Sequence, residues 1–85
     1  MKFCVYILKS AMNGSYYIGS TENVEIRLKL HNSGMVTSTK RYLPWHLVYK
    51  AEYSDLSSAR KRELQIKSWK KRSAIEKLSN KAAMV

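Results

Sequence analysis

The chain is 85 residues long, 45% hydrophobic and 26% charged, the composition of a globular protein and not of a disordered one. Sixteen lysines and arginines against six acids give a net charge of +10, the footprint of a protein that meets a polyanion, most often nucleic acid. A single cysteine, Cys4, excludes an internal disulfide and a cysteine-rich zinc site, and no run approaches the roughly 20 apolar residues of a membrane span.

This length suits one domain, and we expect a single unit over residues 1–85 with a frayed tail from about residue 80. No signal-peptide pattern stands at the N-terminus, so the expected location is cytoplasmic, with no membrane partner.

In chain order, Phe3 to Lys9 reads as a strand with apolar residues on both faces. Phe3, Val5 and Ile7 oppose Cys4, Tyr6 and Leu8, the pattern of an inner strand covered on both sides. Asn13-Gly14 then marks a hairpin turn into a second strand, Ser15 to Gly19. The hairpin would set Tyr6 and Tyr17 on neighbouring strands. Gly19 ends the second strand and lets another backbone or a phosphate approach closely.

Thr21 or Asn23 can cap a helix running to about Asn32, with Glu22 and Glu25 suited to its positive end. Ser33-Gly34 stops it. Helical spacing puts Val24, Arg27, Leu28 and His31 on one face, so Arg27 and His31 sit beside the core-facing stripe. Met35 to Leu43 is a polar loop carrying Ser38, Thr39, Lys40 and Arg41. Trp45 to Tyr53 alternates, with Trp45, Leu47, Tyr49, Ala51 and Tyr53 on one face, as in an edge or half-exposed strand. Ser54 or Asp55 caps a helix from Leu56 to about Lys71, whose inward stripe is Leu56, Ala59, Glu63 and Ile66. A short last helix follows from Arg72. Hairpin, helix, strand, helix, helix predicts a compact α/β (α+β) sandwich, a three-stranded antiparallel sheet flanked by helices.

Four groups could carry chemistry, and each also has a purely structural use. Glu63 can pair with Lys67 at i, i+4. As an acid on an inward stripe it can instead bind Mg2+ (or Mn2+), which takes one or two protein carboxylates plus waters and substrate phosphates. Arg27 and His31 can be a solvated helix face, with His31 a cation at the helix end. They can also be a guanidinium clamping a phosphate and an imidazole passing a proton. Tyr6, Tyr16 and Tyr17 can be packing, and a phenol of pKa about 10 needs a nearby metal or cation to deprotonate water. The basic run Arg60, Lys61, Arg62, Lys67, Lys70, Lys71 and Arg72 can be a solvated face or a phosphate-contacting surface, with Lys40 and Arg41 adding to it. Trp69 can stack on a base or pack in the core. No Walker loop, HExxH, CxxC or GxSxG pattern is present.

Taken together, these positions resemble the GIY-YIG nuclease superfamily. Tyr17-Ile18-Gly19 matches the second half-motif outright. Cys4-Val5-Tyr6 keeps the tyrosine of the first half, with cysteine in place of its leading glycine. Arg27 follows Tyr17 by ten residues, His31 stands one turn on, and Arg62-Glu63 through Lys67 matches the later Arg-Glu-x-x-x-Lys setting. The family's late asparagine has its nearest candidate in Asn80. The resemblance covers nearly the whole chain and points to the small stand-alone single-domain group, related to the N-terminal domain of the excision-repair incision subunit.

The resemblance implies a sandwich built on a three-stranded antiparallel sheet, and a divalent-metal-dependent endonuclease that hydrolyses DNA phosphodiesters. It implies that Glu63 ligates one Mg2+ (or Mn2+) and that Arg27 holds the scissile phosphate. Tyr6 and Tyr17 would position or deprotonate water, His31 would assist proton transfer, and Gly19 would permit close packing. Candidate DNA contacts are Lys40, Arg41, Arg60, Lys67, Lys70 and Lys71. A chain of one module has few surfaces for base readout, so structure- or single-strand-selective cutting in DNA repair or recombination is the expectation. A catalytically weak or inactive nucleic-acid-binding module of the same fold is the alternative.

Overall fold

The computed structural model of the chain describes residues 2–69 and 71–83. Lys70, one of the candidate DNA contacts, lies outside the described residues. Strands β1 (Phe3–Ser10), β2 (Tyr16–Thr21) and β3 (Trp45–Tyr53) form one antiparallel sheet in the order β2-β1-β3. β1 takes the centre because it alone is apolar on both sides, and Cys4 through Leu8 are all buried.

Each face of the sheet has its own core. Helix α1 (Val24–Asn32) covers one face, where Cys4, Tyr6, Leu8, Val24 and Trp45 cluster. Helices α2 (Leu56–Ser68) and α3 (Arg72–Ala83) lie on the other, over Val5, Ile7, Ile18, Ala59 and Ile66. The expected sandwich is thus the observed one. No helix among the described residues is long and apolar enough to cross a membrane.

Local signals explain the elements. Gly14 takes φ +73° in the hairpin turn, a conformation that suits a residue without a Cβ, and Asn13 Oδ1 accepts from the Ser15 amide at 3.0 Å. Asn23, not Thr21, caps α1, its Oδ1 accepting from the Ile26 amide at 3.1 Å. Asp55 caps α2 through the Ser58 amide at 2.7 Å.

Four sequence expectations need correction. Strand β2 does not end at Gly19 but runs on to Thr21, with Ser20 and Thr21 pairing with Val5 and Cys4. The strict alternation of β3 is broken by a β-bulge: Ile7 pairs with Tyr49 but Leu8 with Leu47, leaving Val48 as the extra residue. Trp45 therefore packs against the α1 core, while Val48, Tyr49 and Tyr53 pack on the α2–α3 side. Helix α2 ends at Ser68, short of Lys71, because the Trp69 amide turns back to the Ile66 carbonyl at 3.2 Å and Trp69 packs into the core. Leu56 is 38% exposed at the start of that helix, so the inward stripe begins at Ala59. Helix α3 continues to Ala83.

The loop after α1 carries a 3-10 turn, Lys40–Tyr42, and is tied down at both ends. Asn32 brackets the Trp45 backbone, accepting its N–H at 2.6 Å and donating to its carbonyl at 3.0 Å. The Trp45 indole N–H donates to the Thr39 carbonyl at 2.9 Å, and Ser10 Oγ donates to the Tyr42 carbonyl at 2.6 Å. These bonds hold Thr39 against the end of α1.

Candidate functional site

The open edge of β2 carries a concavity of about 440 Å3 lined by Tyr6, Tyr17, Gly19, Ser20, Arg27, Arg60, Glu63 and Leu64. Its residues come from both sides of the sheet. Tyr6, Tyr17 and Gly19 share the α1 face of the β1–β2 ladder, where Tyr6 pairs with Gly19 and Leu8 with Tyr17. Arg27 comes from α1 on that face, whereas Arg60, Glu63 and Leu64 come from α2 on the other. The two sets meet where the sheet ends.

Gly19 makes that meeting possible. A Cβ at this position would lie 2.6 Å from the Tyr6 hydroxyl oxygen and 2.8 Å from its Cζ. With no side chain there, the Tyr6 ring crosses the neighbouring strand and its hydroxyl reaches the edge. The Arg27 Nε–H donates to that oxygen at 3.4 Å.

His31 stands behind Tyr6 and not on the wall of the concavity. It is fully buried, with Nε2 3.2 Å from the Tyr6 hydroxyl and Nδ1 2.9 Å from Thr39 Oγ1. The reading of His31 as a solvated cation at the helix end does not hold. Burial, aided by the Arg27 charge, pushes the imidazole below its ordinary 6.5, so it is neutral at pH 7. The Tyr17 ring lies 4.7 Å from the His31 ring and 6.3 Å from that of Tyr6. Burial raises the Tyr6 phenol above its ordinary 10, outweighing the Arg27 hydrogen bond that pulls it down. A free Tyr6 phenolate is therefore disfavoured in the protein alone.

Glu63 is held by one neighbour on each oxygen. Ser20 Oγ donates to Oε1 at 2.6 Å, and Lys67 Nζ, one turn on, donates to Oε2 at 2.6 Å. Burial by itself would raise this carboxyl. The hydrogen bonds from Lys67 and Ser20, with the charges of Lys67 and Arg60, outweigh it and hold the group below the ordinary glutamate value of 4.5. Glu63 is thus an anion at neutral pH, and it is the one carboxylate among the wall residues. The i, i+4 pair with Lys67 is present, and it coexists with an inward-facing carboxylate.

A lone carboxylate bears on what metal could bind. Among the described residues no group of three or more His, Cys, Asp or Glu is placed to hold an ion. That excludes an all-protein cage but fits Mg2+, which keeps waters and recruits substrate phosphate oxygens around one or two carboxylates. Lys67 is half exposed on a flexible stem, so its ammonium can yield Oε2 to another cation.

Of the residues singled out from sequence, Tyr6, Tyr17, Gly19, Arg27, Arg60 and Glu63 come together on one wall, Lys67 joins through Glu63, and His31 backs Tyr6. Lys40 and Arg41, on the 3-10 turn, and Lys71, between α2 and α3, are exposed and outside the concavity. Asn80 is exposed on α3 and does not line it either. Ser20, Thr39 as the partner of His31, and Leu64, 65% exposed on the rim, are additions from the structure. Ser20 directly follows the Tyr17-Ile18-Gly19 motif on the opposite face of β2, which was the available signal for it.

A three-stranded antiparallel sheet flanked by helices thus carries Tyr6, Tyr17, Arg27 and Glu63 around one concavity beside Gly19. The chain matches the family model of the GIY-YIG catalytic domain over residues 2–78, which spans every wall of the concavity, and it belongs to that nuclease family. It is 37% identical over 81 residues to a UPF0213 protein of Staphylococcus haemolyticus, covering 94% of this chain and 98% of the relative. A UPF0213 protein of Staphylococcus aureus is 42% identical over 66 residues, 76% of this chain and 79% of the relative. Among solved structures, the solution NMR structure of a UPF0213 protein from Bacillus halodurans superposes with a TM-score of 0.60 at 31% identity, over 96% of this chain and 87% of that one.

Proposed function

We propose that the protein is a divalent-metal-dependent DNA endonuclease, a single GIY-YIG unit over residues 1–85 that hydrolyses phosphodiester bonds at the β2-edge concavity. The observation that carries this reading is that Arg27 and Glu63, from helices on opposite faces of the sheet, line one concavity together with Tyr6, whose hydroxyl accepts from Arg27. Two guanidiniums against one carboxylate make an anion-binding hollow, suited to a phosphate and to the charge that grows on it in the transition state.

In the proposed reaction Arg27 and Arg60 hold the scissile phosphate. Glu63 would hold one Mg2+ (or Mn2+), which when bound supplies Lewis-acid neutralisation of charge on the phosphate oxygens. Tyr17 orients the attacking water. Tyr6 takes a proton from that water as it passes its own to His31 Nε2, so a neutral phenol is kept throughout. The new hydroxide forms the bond to phosphorus, the bond to the leaving oxygen breaks with its electron pair going to that oxygen, and solvent protonates it. His31 ends as an imidazolium and returns its proton after release.

The exposed cations Lys40, Arg41 and Lys71, with Lys67 beside Glu63, would extend phosphate contact beyond the hollow. Such contacts carry no sequence information, which favours a structure- or single-strand-selective enzyme over a sequence reader. Repair or recombination in the cytoplasm is the role consistent with that selectivity.

One observation favours a second reading, a nucleic-acid-binding module without activity: both Glu63 oxygens are already engaged, by Ser20 and Lys67. Glu63→Ala and Arg27→Ala proteins, assayed with Mg2+ or Mn2+ on nicked, branched and single-stranded DNA, separate the two. Loss of cleavage with DNA binding retained supports the enzyme. Salt-sensitive binding without cleavage by the wild type supports the module.

A further inference from the structure

Thr39 has no part in the family motif and does not touch the concavity, yet its side chain is locked to the proton acceptor. It is 1% exposed, and its hydroxyl oxygen lies 2.9 Å from His31 Nδ1. The partners at the two ends of the chain bear on the direction of its hydrogen bonds. Arg27 can only donate, so the Tyr6 oxygen accepts from Nε at 3.4 Å. The Tyr6 proton then needs an acceptor, and the buried partner within reach is His31 Nε2 at 3.2 Å. At the other end, Thr39 Oγ1 has the Val36 carbonyl at 3.4 Å as a second partner, an oxygen that also accepts the Thr39 and Lys40 amides at 3.1 and 3.0 Å; giving its one proton there leaves a lone pair turned toward Nδ1. Both ends are met by one imidazole, protonated on Nδ1 and bare on Nε2.

We infer that Thr39 is a positioning residue for the reaction proposed above, fixing His31 as the Nδ1–H tautomer so that Nε2 accepts the Tyr6 proton. The consequence is a directed chain, Arg27 to Tyr6 to His31 to Thr39 to the Val36 carbonyl. In that direction the Tyr6 O–H points inward and an oxygen lone pair is left for a water in the concavity. The opposite direction would have Thr39 donate to Nδ1 and Nε2–H donate to Tyr6. The Tyr6 proton would then point outward, and Tyr6 could not act as a base. Thr39 is itself held by its backbone, since its carbonyl accepts from the Trp45 indole at 2.9 Å, and that bond survives a change of side chain.

The inference rests on the nuclease reading for its purpose but not for its test. Long-range 1H–15N correlation spectra of the 15N-labelled full chain, recorded at a pH where His31 is neutral, report which ring nitrogen carries the proton. The expected wild-type spectrum has a protonated Nδ1 and a bare Nε2. Thr39→Val, of similar shape but without the hydroxyl, should populate the Nε2–H form, and Thr39→Ser should restore the wild-type pattern. A wild-type spectrum with the proton on Nε2 overturns the inference, and no variant is needed for that result. An unchanged spectrum in folded Thr39→Val overturns it as well. In cleavage assays Thr39→Val should lower kcat by roughly 100-fold, the low end of a general-base contribution, with KM little changed and with rescue by Thr39→Ser. If the tautomer is as expected and the wild type cuts no DNA, the nuclease reading falls while the tautomer assignment stands.

Discussion

The Tyr6 hydroxyl fills the space in which a side chain at Gly19 would begin, 2.6 Å from where its Cβ would stand. The glycine of the motif is therefore the slot through which a buried tyrosine reaches the sheet edge. Gly19→Ala should displace the Tyr6 ring and cost about 1–3 kcal/mol by overpacking. It should cost less in a Tyr6→Phe background, where the nearest colliding atom is gone. Thermal unfolding of the four proteins in a double-mutant cycle reads this coupling. Strictly additive effects would contradict the contact.

His31 gives a pH dependence with a defined sign. Its folded pKa lies below the ordinary 6.5, so as pH falls through 6.5 the unfolded chain takes up this proton first. The contribution of His31 to stability is intact above 6.5 and is lost as pH drops from there toward the folded value. Urea unfolding between pH 8 and pH 5 should show this loss, about 1.4 kcal/mol for every tenfold by which folding weakens the imidazole's hold on its proton. His31→Gln should abolish it. Cleavage should fall over the same acidic range, because a protonated His31 cannot accept the Tyr6 proton.

Much of this was legible in the chain itself. The Asn13-Gly14 turn, the two-sided apolar pattern of Cys4 to Leu8, and the caps at Asn23 and Asp55 are local signals, and local physics realises them. Arg27 and His31 beside the core stripe followed from helical spacing alone. What was hidden depends on tertiary registration. The bulge at Val48 sends Trp45 and Tyr49 to opposite faces, and nothing in an alternating run announces an inserted residue. Ser20 and Thr39 are ordinary loop and strand-end hydroxyls until the fold brings Glu63 and His31 to them. Glu63 was ambiguous in sequence because its pair with Lys67 and its place on the inward stripe are both real.

The Glu63–Lys67 pair predicts competition. Lys67→Met leaves Ser20 on Oε1 and frees Oε2, so Mg2+ or Mn2+ should bind more tightly, read by calorimetric titration in the absence of DNA. An unchanged or weaker affinity would mean that Oε2 is not where the cation sits.

The exposed cations predict a salt signature. Lys40→Gln, Arg41→Gln and Lys71→Gln should each weaken DNA binding with little regard to sequence. Each should also reduce the slope of log K against log salt by about 0.7 on single strands or about 0.9 on duplex. Fluorescence anisotropy over a salt series measures it, and a variant with an unchanged slope removes that residue from the phosphate path.

Single-turnover cleavage of nicked, branched and single-stranded DNA by wild type and by Glu63→Gln, each with Mg2+, with Mn2+ and with chelator, bears most directly on the hollow between Arg27 and Glu63. Wild type should cut at least one of these substrates with metal and none with chelator, and Glu63→Gln should be slower by on the order of 100-fold or more while still binding the DNA. Equal cleavage by the two proteins, or cleavage indifferent to chelator, would contradict the assignment of this concavity as a metal-assisted phosphodiester-cutting site.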